Sequence, residues 1–351
     1  MNRFQTDHVS RTGCIVIVFA ILLSCALTSG AQAEDLTFTD TVLDCEQPML
    51  SWITGKHGKI LMSYGNFPAD DKIRLAESTD AGKSWCVFTT LPYSAGYAYM
   101  TRLADDSLVM VVYNGWAYPT NSLRDLGWIR STDEGRTWSE PTPIGVNVPS
   151  LYPWGPILEM PDGRWAYCPY SEKVDDEGVH LRTRCLLVWS EDRGRTWSDG
   201  IEFSTTADGN QGLTEGAVLQ TGPHQFFAAL RTDDTVDCWD GFYWSRSTDG
   251  LNWSVPESFG DVGREPLFYR IGDYWVLTYR QYVQEDGKQY SALRFSRDGV
   301  VWSDPVHIGE GVDSGACLVQ VGDQLIAMNH EYPQRKKITR RVIDLKNLVQ
   351  E

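Results

Sequence analysis

None of the eight cysteines forms a Cys-x-x-Cys pair, so a zinc knuckle or a thioredoxin-like redox motif lacks the spacing it needs. The sequence has no His-Glu-x-x-His motif, no glycine-rich phosphate loop and no dinucleotide fingerprint. It also lacks the Gly-x-Ser-x-Gly elbow of serine hydrolases. These absences leave metalloprotease, nucleotide-dependent and α/β-hydrolase chemistry without a motif, and no cofactor or metal is expected. Basic residues are scarce: 31 Lys and Arg stand against 47 Asp and Glu, a net charge of −16. Such a surface repels nucleic acid and anionic membranes. The clusters Arg335-Lys336-Lys337 and Arg340-Arg341 read as a solvated strand face.

Long apolar runs are missing too. The run at 15–23 is too short to span a bilayer, so no membrane insertion of the mature chain is expected. With Arg3 and Arg11 before it and Ala31-Gln32-Ala33 after it, this run has the layout of an export signal. Residues 1–33 are therefore set aside, and a periplasmic or extracellular mature chain of residues 34–351 is expected. A second reading of Leu22-Leu23-Ser24-Cys25 is lipoprotein processing, with the chain anchored at Cys25. Export permits disulfides among Cys45, Cys86, Cys168, Cys185, Cys238 and Cys317. Cys168 and Cys185, on neighbouring expected strands, are the first candidates for a pair; the alternative is buried free thiols.

The sequence is rich in aromatics and in one repeated pattern. Ser78-Thr-Asp80-Ala-Gly82-Lys-Ser84-Trp85 recurs at 131–138 and 190–197, and in shortened form at 247–253 and 296–302. Within each copy Asp and Ser/Thr side chains can bond backbone groups of a tight turn, Gly can take a left-handed conformation, and Trp can bury a large face. The motif is thus structural. Its spacing suits one four-stranded blade per copy. Strand patterns divide the chain into six units starting near 45, 97, 152, 213, 262 and 313, the last without the turn motif. The run at 36–43 can supply the missing strand of the sixth unit and so close a ring without exposed edges. The expected fold is all-β, a six-bladed β-propeller in one domain.

The repeated Ser-x-Asp-x-Gly-x-Thr-Trp turns, the export signal and the six units resemble the sialidase superfamily, whose members carry these Asp boxes as BNR repeats. The resemblance covers essentially the whole mature chain and implies a ligand site at the central mouth, on the face away from the boxes. Sialidases clamp a carboxylate with three arginines and use a tyrosine nucleophile, an assisting glutamate and an aspartate acid/base. Thr214-Glu215-Gly216 through Leu230-Arg231 resembles the segment with the assisting glutamate and the second arginine. Elsewhere the chain departs: Cys45-Glu46-Gln47-Pro48 replaces the first arginine motif, the third arginine falls near Lys288, and Gly315-Ala316-Cys317-Leu318 replaces the tyrosine segment. The aspartate has no match at 64–67, although Asp70 and Asp71 follow.

Setting the strand starts of the six units in register places Glu46, Trp154, Glu215, Arg264 and Gly315 in one column facing the mouth. The ends of the second strands form another column: Gly65, Asn114, Ser171, Arg231, Arg280 and His330. A one-residue slip would bring in Glu265, Asp313 and Glu331 instead. Glu46, Glu215 and Glu265 are the candidate catalytic carboxylates, since paired carboxylates suit glycosidic cleavage. Arg231, Arg264, Arg280, Trp154, Tyr99 and His330 are the candidate substrate-binding residues. Arginine forks suit anionic groups, and aromatic faces, those of Tyr97, Trp116 and Tyr152 included, suit sugar rings. The alternative is that Glu215–Arg231 and Glu265 with Arg264 or Arg280 are ion pairs that brace the blades. The reading adopted is a secreted glycoside hydrolase acting on a non-sialic glycan or oligosaccharide. A glycan-binding propeller, a protein-binding scaffold and an exo-sialidase remain as alternatives.

Overall fold

A computed structural model describes residues 38–41, 48–66, 70–93, 98–113, 126–146, 151–174, 180–204, 212–232, 241–310, 315–330 and 338–344. They form six antiparallel sheets arranged as a β-propeller. Blade one comprises Pro48–Lys56, Lys59–Asn66, Asp70–Ser78 and Cys86–Leu91; blade two comprises Met100–Arg102, Leu108–Tyr113, Leu126–Ser131 and Thr142–Pro143. Blade three is built of shorter pieces, Leu151–Tyr152, Leu158–Glu159, Trp165–Tyr167 and Tyr170–Val174, around the long strand His180–Ser190, with Ile201–Glu202 at its edge. Blade four comprises Leu213–Gly222, Gln225–Thr232, Phe242–Ser247 and Glu257–Ser258. Blade five comprises Val262–Ile271, Tyr274–Val283, Lys288–Ser296 and Val306–Glu310. Blade six joins Cys317–Val321, Gln324–His330 and Ile338–Asp344 to the N-terminal strand Phe38–Thr41, which pairs antiparallel with residues 338–341. The closure expected from the run at 36–43 is therefore present.

Each neighbouring pair of blades encloses its own apolar cluster. Representative members from the two blades of each pair are Ile73 and Met110, Val111 and Trp165, Cys185 and Leu230, Phe242 and Tyr279, Leu293 and Leu318, and Met62 and Ile326. These clusters follow one another around the ring and return from blade six to blade one. Burying both faces of every sheet in this way accounts for the apolar runs on the second strands, such as Leu108–Tyr113, buried throughout.

The Asp boxes lock the outer turns. In the first box Ser78 Oγ accepts the Gly82 N–H at 2.8 Å, and Asp80 Oδ1 accepts the N–H groups of Lys83 and Ser84 at 3.0 and 2.9 Å. The box glycine takes a left-handed conformation, φ 81° at Gly194. Each box also leans on the preceding blade: Gly135 lies against Leu75 and Phe88, Gly194 against Trp128, Gly250 against Trp189, and Gly82 against Arg340 of blade six. Blade six has no box; its buried Arg341 guanidinium sits over Gly309 of blade five and donates to Asn329 Oδ1 at 3.0 Å.

Cys168 and Cys185 are free thiols, both buried in the cluster between blades three and four. The disulfide considered from the sequence is not formed. Cys45 and Cys238, and the signal and lipoprotein readings of residues 1–33, lie outside the described residues.

Candidate active site

The register of the blades fixes which residues are equivalent around the ring. The innermost strand of blade four pairs Val218 with Ala228, that of blade five pairs Phe268 with Leu277, and that of blade six pairs Leu318 with Ala327. Counting back three residues from each gives Glu215, Glu265 and Gly315 as equivalents. The sequence register had put Arg264 in this column. The structure pairs Arg264 with Arg280, as it pairs Thr214 with Arg231, so Glu265 is the counterpart of Glu215. In blade one Met49 pairs with Gly65, which gives the place after it to Leu50 rather than Glu46. Glu46 itself lies outside the described residues, as do Tyr97, Asn114, Trp116, Asp313 and Glu331.

Both glutamates sit on a bulge. Pairing shifts between Thr214 and Ala217 and between Arg264 and Leu267. At these bulges Glu215 has φ 50° and Glu265 φ 57°, a left-handed conformation that costs a non-glycine residue on the order of 1–3 kcal/mol. The other non-glycine residues in this region, His57, Ala81, Asp106, Glu134 and Arg193, belong to hairpin or Asp-box turns. Among the described residues the strain inside strands is thus confined to the two carboxylates. A bulge re-aims a side chain, and both here are aimed at the same neighbourhood.

The second strands put arginines behind them. The fifth residue after the one that faces the box serine (Phe226↔Ser247, Trp275↔Ser296) is Arg231 in blade four and Arg280 in blade five. His330, 4 % exposed, holds the same place in blade six. In blades two and three the same count gives Tyr113 and Tyr170, not the Asn114 and Ser171 of the sequence register. Tyr170 stacks on Tyr152 with ring centroids 4.9 Å apart. The count starts from the residue paired with the box serine, a register that the sequence does not give.

Arg231 Nε lies 3.0 Å from Glu215 Oε2 in an ion pair whose angle does not make a hydrogen bond. Arg280 Nη2 lies 3.5 Å from Glu265 Oε1. The Glu215 side chain is 8 % exposed and that of Glu265 23 %. Burial pushes the Glu215 carboxyl up to about 7; Arg231 opposes this, the Glu265 charge adds to it, and Arg280 and Arg264 pull the other way. The five predicted residues Glu215, Arg231, Glu265, Arg264 and Arg280 are thus one electrostatic cluster. Trp154 and Tyr99 meet edge to face at 5.7 Å and are 3 % and 6 % exposed, so they form a packed wall rather than open ring faces. Lys288, the position matched to a third arginine, is held in an exposed ion pair with Glu310, whereas Arg280 lies beside Glu265.

Chemically, the site offers a buried carboxyl raised to about 7 and a second, more exposed carboxyl side chain, each with an arginine beside it. This is the division of labour that acid-assisted cleavage of a glycosidic bond requires. Among the described residues no group of three or more His, Cys, Asp or Glu side chains is placed to hold a metal ion.

The comparisons with known proteins agree with this architecture. A sialidase of Paraclostridium sordellii is 25 % identical over 257 residues, 62 % of this chain; the chain spans 60 % of that relative's length. A microbial sialidase designated Hz136, from a Hadza source, superposes with a TM-score of 0.64 at 18 % identity, covering 86 % of this chain and 66 % of that one. An α-L-arabinanase of Penicillium chrysogenum, solved with arabinobiose, gives a TM-score of 0.62 at 14 % identity and covers 88 % and 99 %. The BNR repeat-like domain model matches residues 90–334, and the chain belongs to this family of BNR-repeat proteins within the sialidase superfamily.

Proposed function

We propose that the protein is an exported glycoside hydrolase that cleaves a non-sialic glycan in the propeller mouth. Glu215 is the proton donor, Glu265 the partner carboxylate, and Arg231, Arg280 and Arg264 hold anionic or hydroxyl groups of the substrate. The observation that carries this reading is the matched pair of glutamates, each on a strand bulge in a left-handed conformation and each backed by an arginine. Ion pairs that only brace blades do not need such strain.

The tyrosine-dependent route of the sialidases fits less well. At Gly315, where a tyrosine would have to stand, an added Cβ would lie 2.7 Å from the Glu265 carbonyl oxygen and 3.2 Å from Thr278 Oγ1. The space is closed by the backbone that carries Glu265, so the nucleophile has no room. The arabinanase likeness, which extends over 99 % of that chain, makes an α-L-arabinosyl glycan the first substrate to try.

Turnover is measured on a panel of aryl glycosides and polysaccharides that includes arabinosides and a sialoside. Wild type is compared with Glu215→Gln, Glu265→Gln and Glu46→Gln. Cleavage of a non-sialic substrate that falls about 10²–10⁴-fold in both the Glu215 and Glu265 variants is expected. Cleavage of the sialoside would refute the non-sialic reading, and binding without turnover would make the protein a glycan-binding propeller.

A further inference from the structure

The turn that carries Glu215 is tied at both ends by a sulfur atom from the neighbouring blade. The Gly216 N–H donates to Cys185 Sγ at 3.1 Å, and the Cys185 thiol donates to the Leu213 carbonyl at 3.6 Å. Leu213 precedes the shifted pairing on which Glu215 sits, and Gly216 lies within it. Cys185 is itself held, its own N–H donating to Ser204 Oγ at 2.8 Å, and it is fully enclosed. Burial raises its thiol well above the ordinary range, so it keeps the proton it donates. A Cβ on Gly216 would meet Cys185 Sγ at 2.9 Å, with Leu230 and Phe203 at 3.1 Å, so the fit around this N–H is close.

The repeat supplies an internal comparison. Cys185 pairs with Tyr170 and lies five residues before the box serine Ser190; its counterpart in blade four is Phe242, which pairs with Arg231 and lies five residues before Ser247. The counterpart of Gly216 in blade five is Pro266. Proline has no N–H to satisfy, and the residue facing that turn is the apolar Phe242, whose ring lies 2.6 Å from where a Cβ on Gly263 would be. Where the turn has an N–H, the facing residue can accept it; where the turn has none, the facing residue is a hydrocarbon. Leaving a buried N–H without an acceptor costs about 1–3 kcal/mol, and a left-handed glutamate beside it has little reserve against that cost.

We propose that Cys185 is a positioning residue for Glu215: its thiol bridges the two ends of the Glu215 bulge and thereby holds the carboxyl in its enclosed place beside Arg231. The kinetic consequence rests on the hydrolase reading above; the structural one does not.

The test is the titration of the Glu215 side chain itself, followed by NMR of protein labelled with ¹³C at the glutamate carboxyl carbons, with the resonance identified by its loss in Glu215→Gln. Three variants are compared: Cys185→Ser, which keeps donor and acceptor; Cys185→Val, which keeps the bulk alone; and Cys185→Ala, in case Val does not fold. Removing the thiol's hydrogen bonds lets the turn relax and water reach the carboxyl. The Glu215 midpoint then falls by about one pH unit or more in Cys185→Val and Cys185→Ala, and stays near the wild-type value in Cys185→Ser. Folded Val and Ala variants whose Glu215 titrates as in wild type would overturn the proposal. If a glycan is turned over, the alkaline limb of the kcat profile moves with the midpoint. If none is, the titration still decides the role of Cys185 while the hydrolase reading fails separately.

Discussion

Glu215 couples the candidate chemistry to stability through one proton. Its carboxyl is raised from 4.5 to about 7 in the folded protein, so the folded state holds a proton that the unfolded state releases. The stabilising contribution is complete below about 4.5 and is lost as pH rises through about 7. The Asp boxes act with the opposite sign and in another window: hydroxyl and backbone N–H donors of Thr137 hold Asp133 at about 2, so its contribution is present above the ordinary aspartate value and is lost only in stronger acid. The prediction concerns a difference. The melting temperature of wild type minus that of Glu215→Gln grows as pH falls from 8 to 5, because glutamine cannot take up the proton. A difference independent of pH over that interval would mean that Glu215 is ionised throughout. A kcat that declines above about pH 7, on whichever glycan is cleaved, is the kinetic counterpart. At this scale Glu215 and Arg231 are legible because Thr214-Glu215-Gly216 through Leu230-Arg231 resembles a known segment and the strand register agrees with it. Glu265 comes out one residue off, because Gly263-Arg264-Glu265-Pro266 offers no alternation from which a bulge can be counted.

Among the elements, the Asp box shows how a turn becomes a joint between blades. In the third box Trp128 Nε1 donates to the Gly194 carbonyl at 2.9 Å, and the Trp128 and Trp165 rings stand 2.8 Å from where a Cβ on Gly194 would be. Two penalties coincide there, a left-handed conformation and a closed space. Gly194→Ala should therefore cost about 2–5 kcal/mol in chemical denaturation, combining about 1–2 for the conformation with about 1–3 for the overpacking. Gly163, with φ 85° but nothing within 4 Å of its missing Cβ, is the control: Gly163→Ala pays the conformational part alone, about 1–2 kcal/mol. Equal losses at the two sites would show that the box glycine is needed only for its dihedral angle and not for the contact with the preceding blade. The box is legible in the sequence because its bonds are local, each joining residues no more than four apart. The partner ring of Trp128 is not, since it comes from a different blade. The free state of Cys168 and Cys185 is hidden for the same reason: spacing brings the two strands together but does not say which way each thiol packs.

The whole molecule stands or falls on closing the ring. Six apolar clusters, one per blade interface, join the sheets face to face, yet they do not cover the edge of blade six. That edge is the strand Ile338–Asp344, whose outward N–H and C=O groups are met by Phe38–Thr41 from the other end of the chain. The short strand thus brings an element far away in sequence to finish a sheet, and the loop it closes is nearly the whole domain. The sequence discloses this because the sixth unit runs out after three strands and the only strand pattern without a sheet lies at 36–43. Blade six also lacks an Asp box, and its junction with blade five adds the enclosed Arg341, seated over Gly309, to the apolar cluster around Leu293 and Leu318. A chain shortened to begin after Thr41 should therefore lose several degrees of melting temperature and gain a concentration-dependent tendency to associate through the bared strand. A synthetic peptide of residues 34–44 should restore both when added in excess, in proportion to its occupancy. Shortened protein that melts and sediments as the full chain does would mean that blade six holds with three strands and that closure is a matter of topology rather than stability. Because Gly315 and His330 of the same blade complete the columns that flank Glu265 and Arg280, loosening blade six should also move the Glu215 titration before the remaining blades unfold. That ordering is open to measurement on the shortened chain by the carboxyl resonance used for Cys185.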